Sequence, residues 1–157
     1  AGVAASDACE MLGLKVVNLP EEAKLELKDL LREVIPPFSG VSNPVDLVWL
    51  PVGQASSIHP QVVEIMSEAV DAFMIFTYDP FATITREIFA EDYRSEILKT
   101  REKVKKPMVF VTPHPSKELD ISLWTKNGLP VYPTPERAAK ALAALTQRRS
   151  FLEKTKK

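Results

Sequence analysis

Two mainly apolar segments, residues 70–77 and 107–112, constrain the fold of this chain more than any other feature. Both have the length of a strand, and neither shows the apolar–polar alternation of a strand with one solvent-facing side. A continuous apolar strand is typical of a parallel sheet that helices cover on both faces. The two segments therefore predict an α/β protein with a buried sheet.

The rest of the chain alternates between helical and extended patterns, with most of its 13 prolines at the joints. Shorter strands are predicted at residues 14–18 and 129–132, and residues 45–50 are a short apolar run. One helix is predicted to open the chain, a second to follow Pro20 and a third to begin at Ser57-Ile58-His59-Pro60. Residues 79–106 are predicted to form two short helices or one bent helix. The last two helices are predicted at 116–127 and 133–145. This order predicts a flavodoxin-like three-layer domain with a mainly parallel sheet that lacks its first strand. Ligands of such sheets bind at the carboxyl ends of the strands.

Very small side chains form the start of the first helix. The first turn of a helix exposes unpaired N–H groups and the positive end of the macrodipole, so small side chains there let an anion approach. The backbone of Gly2, Val3 and Ala4 is therefore a candidate phosphate-binding site. The alternative is that small residues only let the helix pack closely on a sheet, and these residues taken alone favour that alternative.

Charge and cysteine content exclude several classes of protein. The chain has 20 basic and 21 acidic residues, which argues against a nucleic-acid partner. No apolar run is long enough for a membrane span or a signal peptide, so a cytoplasmic location is expected. The single cysteine, Cys9, can form no internal disulfide, and its helix predicts a packed thiol.

The length fits one domain, assigned to residues 1–146, followed by a basic C-terminal tail at 147–157.

Few polar side chains suggest chemistry. His59 precedes Pro60 at a predicted helix start, and His114 follows a buried strand, where a solvent-exposed loop histidine is the simpler interpretation. No P-loop, GxGxxG, GxSxG or metal-ligand spacing is present, so we assign no catalytic residue and no metal ligand. Asn43 and Asp46 flank a proline that fixes the backbone, and their short side chains can cap an adjoining loop. Taken alone, they form a capped turn.

Three motifs in a fixed order carry more information than any one of them. They are GVAASDACEMLGL at 2–14, SNPVDL at 42–47 and GLPVYPTPERAAKAL at 128–142, with the strands VDAFMIF and KPMVFV between the second and the third. This order resembles the ADP-forming acyl-CoA synthetases, also called NDP-forming acid–CoA ligases, of the succinyl-CoA synthetase superfamily. The resemblance extends over nearly the whole chain. In that family a strand and a glycine-rich turn precede the first helix, whereas residues 1–157 start at that helix.

The resemblance implies the ligase domain that follows the CoA-binding and phosphohistidine domains. Such enzymes interconvert acyl-CoA, ADP and phosphate with acid, CoA and ATP through an acyl phosphate and a phosphorylated histidine in the preceding domain. It implies that the helix start at Gly2, Val3 and Ala4 faces the phosphohistidine, and that Asn43 and Asp46 shape the same pocket. CoA, ATP or ADP, and Mg²⁺ are expected in the parent enzyme and not in this chain. The implied partners are the CoA-binding and phosphohistidine domains, an ATP-grasp domain or subunit, and further copies in an oligomer.

Other classes of function stay open at this point. The same domain could be a non-catalytic assembly module that binds an ATP-grasp partner or a second copy of itself. A stand-alone flavin-binding or receiver-type domain is disfavoured because the chain has no Ser/Thr-rich phosphate loop and no acidic phosphoacceptor cluster. Because the chain has no nucleotide or CoA motif, we expect it to have no ligase turnover by itself.

Overall fold

The structure is a computed structural model, and it describes residues 2–36, 41–47, 50–51, 53–76, 91–112 and 121–155. The helices and strands in these ranges are α1 Gly2–Met11, α2 Glu21–Leu31, α3 Ala55–Met66, β1 Phe73–Phe76, α4 Glu91–Val104, β2 Met108–Val111, α5 Ile121–Lys126, β3 Val131–Tyr132 and α6 Pro135–Thr155. Within these ranges, no helix is long and apolar enough to cross a membrane.

The three strands form one parallel sheet in the order β1-β2-β3. Phe73 pairs with Met108 at the start of β1, and Phe110 pairs with Val131 across β2 and β3. Parallel neighbours need a crossover connection, and α4 and α5 lie in the two crossovers. The predicted α/β architecture with a parallel sheet is confirmed.

Strand β2 separates two hydrophobic clusters, because successive side chains of a strand point to opposite faces. Met108 and Phe110 pack into a large cluster formed mainly with α2, α3 and α4. Val109 and Val111 pack on the other face with residues of α6. All four β2 residues are buried. Helices therefore cover both faces of the sheet, as the apolar pattern of this segment predicted.

Helix α1 lies beside α6, and alanine dominates their buried faces. Ala5 and Ala8 are the buried residues of α1, and three of the four buried residues of α6 are alanines. Gly13 follows α1 with a φ of 73°. The Leu14 amide donates to the Cys9 carbonyl and the Gly13 amide to the Glu10 carbonyl, which is the Schellman arrangement. The predicted glycine cap is confirmed.

Several predicted elements are confirmed with changed bounds. The strands predicted at 70–77, 107–112 and 129–132 are β1, β2 and β3. The helix after Pro20 begins at Glu21, and the charged stretch is helical over α4, whereas residues 77–90 lie outside the described ranges. Helix α6 continues past Leu145 to Thr155.

Two predictions are wrong. Residues 14–18 form no strand; there the Val17 carbonyl accepts a hydrogen bond from the Asn43 side chain, where a strand would pair with a neighbouring strand. Helix α3 begins at Ala55, so His59 and Pro60 lie inside it and do not mark its start.

Candidate functional site

The first turn of α1 and the Asn-Pro-Val-Asp segment touch each other. A Cβ atom added to Gly2 would lie 3.3 Å from the Cβ atom of Pro44 and 3.4 Å from its Cγ atom. Separations this short are tighter than most Cβ contacts. The lack of a side chain at Gly2 therefore lets the helix start lie this close to Pro44. Two of the three sequence motifs therefore meet at one point of the fold.

The start of α1 is open and electrically positive. Its first turn contains no acidic side chain, Val3 is 77% exposed, and Ala4 is exposed as well. The N–H groups of the first turn have no acceptor within their own helix. The Ser6 hydroxyl donates to the Gly2 carbonyl at 3.1 Å, a bond that leaves the amide side of the turn unobstructed. These backbone amides can donate hydrogen bonds to an anion from solvent.

Asn43 ties the Asn-Pro-Val-Asp segment to the chain that follows α1. It is half-buried, its Nδ2 atom donates to the Val17 carbonyl at 3.1 Å, and its peptide bond to Pro44 is cis. Asp46 is exposed three residues further on. An ionised carboxylate repels a phosphoryl group, so contact between Asp46 and a phosphate would need a cation or a hydrogen-bond donor between them. Asn43 thus ties this segment to the chain after α1, while Pro44 lies against Gly2 at the start of α1.

His59 belongs to the core and not to this site. It is buried in α3, and its Nδ1 atom lies 2.9 Å from the hydroxyl of Tyr93 in α4. Burial lowers the pKa of His59 to about 4 and raises the pKa of Tyr93. A neutral imidazole therefore connects the two helices, in the cluster on the face of the sheet away from α6. His114 lies outside the described residues.

Cys9 is half-buried, and burial raises the pKa of its thiol, which agrees with a packed thiol and not with an activated nucleophile. Among the described residues, no group of three or more His, Cys, Asp or Glu side chains could hold a metal ion. The chemistry that the described site offers is backbone N–H donation to an anion.

Sequence reasoning missed two partners in this region. Pro44 was part of the motif, but nothing in the sequence indicated that it would contact Gly2. The Val17 carbonyl had no sequence signal at all, since any residue type supplies a backbone carbonyl. The order of the motifs was the signal that connected these segments.

The described part of the chain is thus an α/β domain in which the small-residue start of α1 lies against a proline turn. Two curated proteins of Pyrococcus furiosus are similar to this chain. Acetate-CoA ligase [ADP-forming] I subunit alpha is 35% identical over 155 residues, which cover 92% of this chain and 29% of that subunit. Acetate-CoA ligase [ADP-forming] II subunit alpha is 29% identical over 147 residues, which cover 93% of this chain and 31% of that subunit.

The likeness to ADP-forming acid–CoA ligases that the motif order predicted is confirmed by these two relatives. The chain spans 29% and 31% of the lengths of the two relatives and corresponds to one segment of each. No protein-family model matches the chain. No solved structure matches it either.

Proposed function

We propose that this chain is a domain of an NDP-forming acid–CoA ligase. The parent enzyme interconverts acyl-CoA, ADP and phosphate with acid, CoA and ATP through a phosphohistidine carried by another domain. The observation that carries the proposal is the contact of the α1 start with Pro44, in a chain whose relatives are alpha subunits of ADP-forming ligases. The cytoplasmic location expected from composition stays a prediction.

In this proposal the amides of Gly2, Val3 and Ala4 hold the phosphoryl group while it is transferred. Donors that are fixed in place before the reaction stabilise charge in the transition state without reorganisation. Asn43 holds the neighbouring segment through the Val17 carbonyl, and Asp46 shapes the edge of the pocket. CoA, the nucleotide and Mg²⁺ are proposed to bind to other parts of the parent enzyme.

Two substitutions of Gly2 in the full-length enzyme separate charge from bulk. Gly2→Glu and Gly2→Gln place similar side chains beside Pro44, but only the glutamate adds a negative charge. We expect phosphoryl transfer to the histidine, followed by rapid quench, to be roughly tenfold slower in Gly2→Glu than in Gly2→Gln. The melting temperature of Gly2→Glu should not be lower than that of Gly2→Gln, because a carboxylate in the first turn of a helix is stabilising.

Equal transfer rates in the two variants would contradict a phosphoryl group at this helix start. That result would favour the second candidate, a non-catalytic module that binds an ATP-grasp partner. The exposed apolar side chains Val3 and Met11 on α1, 77% and 87% exposed, are the observation that keeps this candidate open. An assembly module predicts that Met11→Glu weakens subunit association while the transfer rate per assembled complex stays unchanged.

A further inference from the structure

Only the first half of α6 is buried in the domain. The helix has 21 residues, and its buried residues, Ala138, Ala139, Leu142 and Ala143, all lie in the first half. Every residue from 144 to 155 is exposed. At a rise of 1.5 Å per residue this second half, which we call the α6 arm, is about 18 Å long.

The arm carries large apolar side chains that are about half exposed. Leu145, Phe151 and Leu152 are 52%, 57% and 42% exposed. A free helix of this length is marginally stable in water. The contacts of its side chains include a stacking of the Arg148 guanidinium 5.8 Å from the Phe151 ring centre, an Arg149–Glu153 ion pair at 2.9 Å and an attraction between Arg149 and Asp71. Exposed contacts of this kind contribute little, so the arm is a surface that packing against another chain would stabilise.

The charge of the arm is opposite to that of the rest of the chain. Residues 144–155 contain three basic side chains and one acidic side chain, whereas residues 1–143 contain 15 basic and 20 acidic side chains. A second copy of this chain therefore offers the arm a partner of complementary charge.

Helix α2 presents acidic and apolar side chains together on its outer surface. Glu22, Glu26 and Asp29 are exposed at helical spacing on one side of α2, and Leu25 beside them is 61% exposed. We call these four residues the α2 face. Among the described residues Asp29 forms an ion pair with Arg32 on the same helix. The α2 face is thus opposite in charge to the α6 arm, and its Leu25 offers an apolar contact for the aromatic ring of the arm.

A groove of about 460 Å³ adjoins this face at Glu26. Its lining includes the apolar Ile65 and Val104 and the carboxylates of Glu64 and Glu68. Two lysines also line it. Lys103 pairs with Glu64 at 2.6 Å, and Lys106 donates to the carbonyls of Ser67 and Val70. Both lysines are thus occupied within their own chain.

We propose that the α6 arm of one copy docks on the α2 face of a second copy, and that the exchange is reciprocal. In this dimer the apolar side chains of the arm cover Leu25 and the adjoining groove, and its arginines face the carboxylates of α2. The arm cannot reach the α2 face of its own chain, because α2 packs in the layer of α3 while α6 covers the other face of the sheet. A two-fold arrangement buries both arms and closes the assembly at two copies.

Sedimentation velocity of the 157-residue chain over a wide concentration range tests the proposal with two charge-reversal variants. The arm variant carries Arg148→Glu and Arg149→Glu, and the face variant carries Glu22→Lys and Glu26→Lys. We expect the wild-type chain to dimerise and each variant alone to dimerise more weakly by roughly tenfold or more, because like charges then face each other. An equimolar mixture restores the dimer, since both reciprocal contacts again pair opposite charges.

Arg137→Glu with Lys140→Glu is the matched control, because these exposed basic residues lie on the same helix before the arm. This variant should dimerise like the wild-type chain. Far-UV circular dichroism establishes that each variant is folded. The wild-type dimer alone supplies a second test that needs no variant: its dissociation constant should rise with ionic strength, because exposed ion pairs are screened. A wild-type monomer at all concentrations, a mixture that does not restore association, or a salt-independent dimer would each overturn the proposal.

Discussion

Acidification should destabilise this domain through His59. The imidazole is buried against the Tyr93 hydroxyl, and burial lowers its pKa from 6.5 to about 4. In the unfolded chain His59 has its ordinary pKa and takes up a proton as the pH falls below 6.5. In the folded chain it stays neutral until about pH 4. The contribution of the buried, neutral His59 to the free energy of unfolding is therefore complete above pH 6.5. It is lost as the pH falls from 6.5 towards 4.

The size of this effect follows from the difference in proton uptake between the two states. Between pH 7 and pH 5, the unfolded chain gains most of a proton at His59 and the folded chain gains almost none. The free energy of unfolding should fall by about 2 kcal/mol over this interval from His59 alone. A loss of this size is a large share of the stability of an ordinary domain.

Urea unfolding at pH 7, 6 and 5, followed by tryptophan fluorescence, measures the effect, because Trp124 is buried beside Tyr93 with ring centres 5.9 Å apart. His59→Asn is the control, since its side-chain amide can still bond to Tyr93 and does not titrate between pH 5 and 7. This variant should be less stable than the wild-type chain at pH 7 but should lose about 2 kcal/mol less between pH 7 and 5. The reasoning fails if both proteins lose the same amount.

Two further predictions concern the glycine caps and the activity of the chain. Gly13→Ala should lower the free energy of unfolding by about 1 kcal/mol, because φ is positive there although the space around it is open. Gly128→Ala should cost about 2 kcal/mol, because its Cβ atom would also lie 2.5 Å from the guanidinium of Arg101, which donates to the carbonyls of Asn127 and Gly128. Equal losses in the two variants would contradict this role of Arg101. The 157-residue chain alone should form no acyl-CoA from acid, ATP and CoA, and measurable turnover in a coupled assay would refute this expectation.

The parts of the fold that could be predicted are those with a local signal. Residues 107–112 are apolar without interruption, and a strand buried on both faces is what the structure has there. The helix after Pro20 and the end of α1 at Gly13 follow from proline and glycine geometry. Residues 14–18 carried a similar apolar signal and are not a strand, because a strand also needs a partner, and their Val17 carbonyl instead bonds to Asn43.

Long-range contacts explain what the sequence did not reveal about the site. The buried position of His59 could not be read from its neighbours in sequence, because Tyr93, whose hydroxyl lies beside the imidazole, is 34 residues away in the chain. Within the site, small side chains at the helix start and the proline segment could each be recognised locally. Their contact through Gly2 and Pro44 could be expected only from the order of the motifs.

The two-sided burial of β2 has a consequence for how the domain opens. Met108 and Phe110 belong to one cluster and Val109 and Val111 to the other, so separating β2 from the sheet exposes both clusters at once. Opening of one side alone, for example of α6, would leave the hydrogen bonds of β2 to β1 in place. The amide hydrogens of β2 should therefore exchange with solvent only through unfolding of the whole domain. They would be the slowest set in a hydrogen-exchange experiment and would report the global free energy of unfolding.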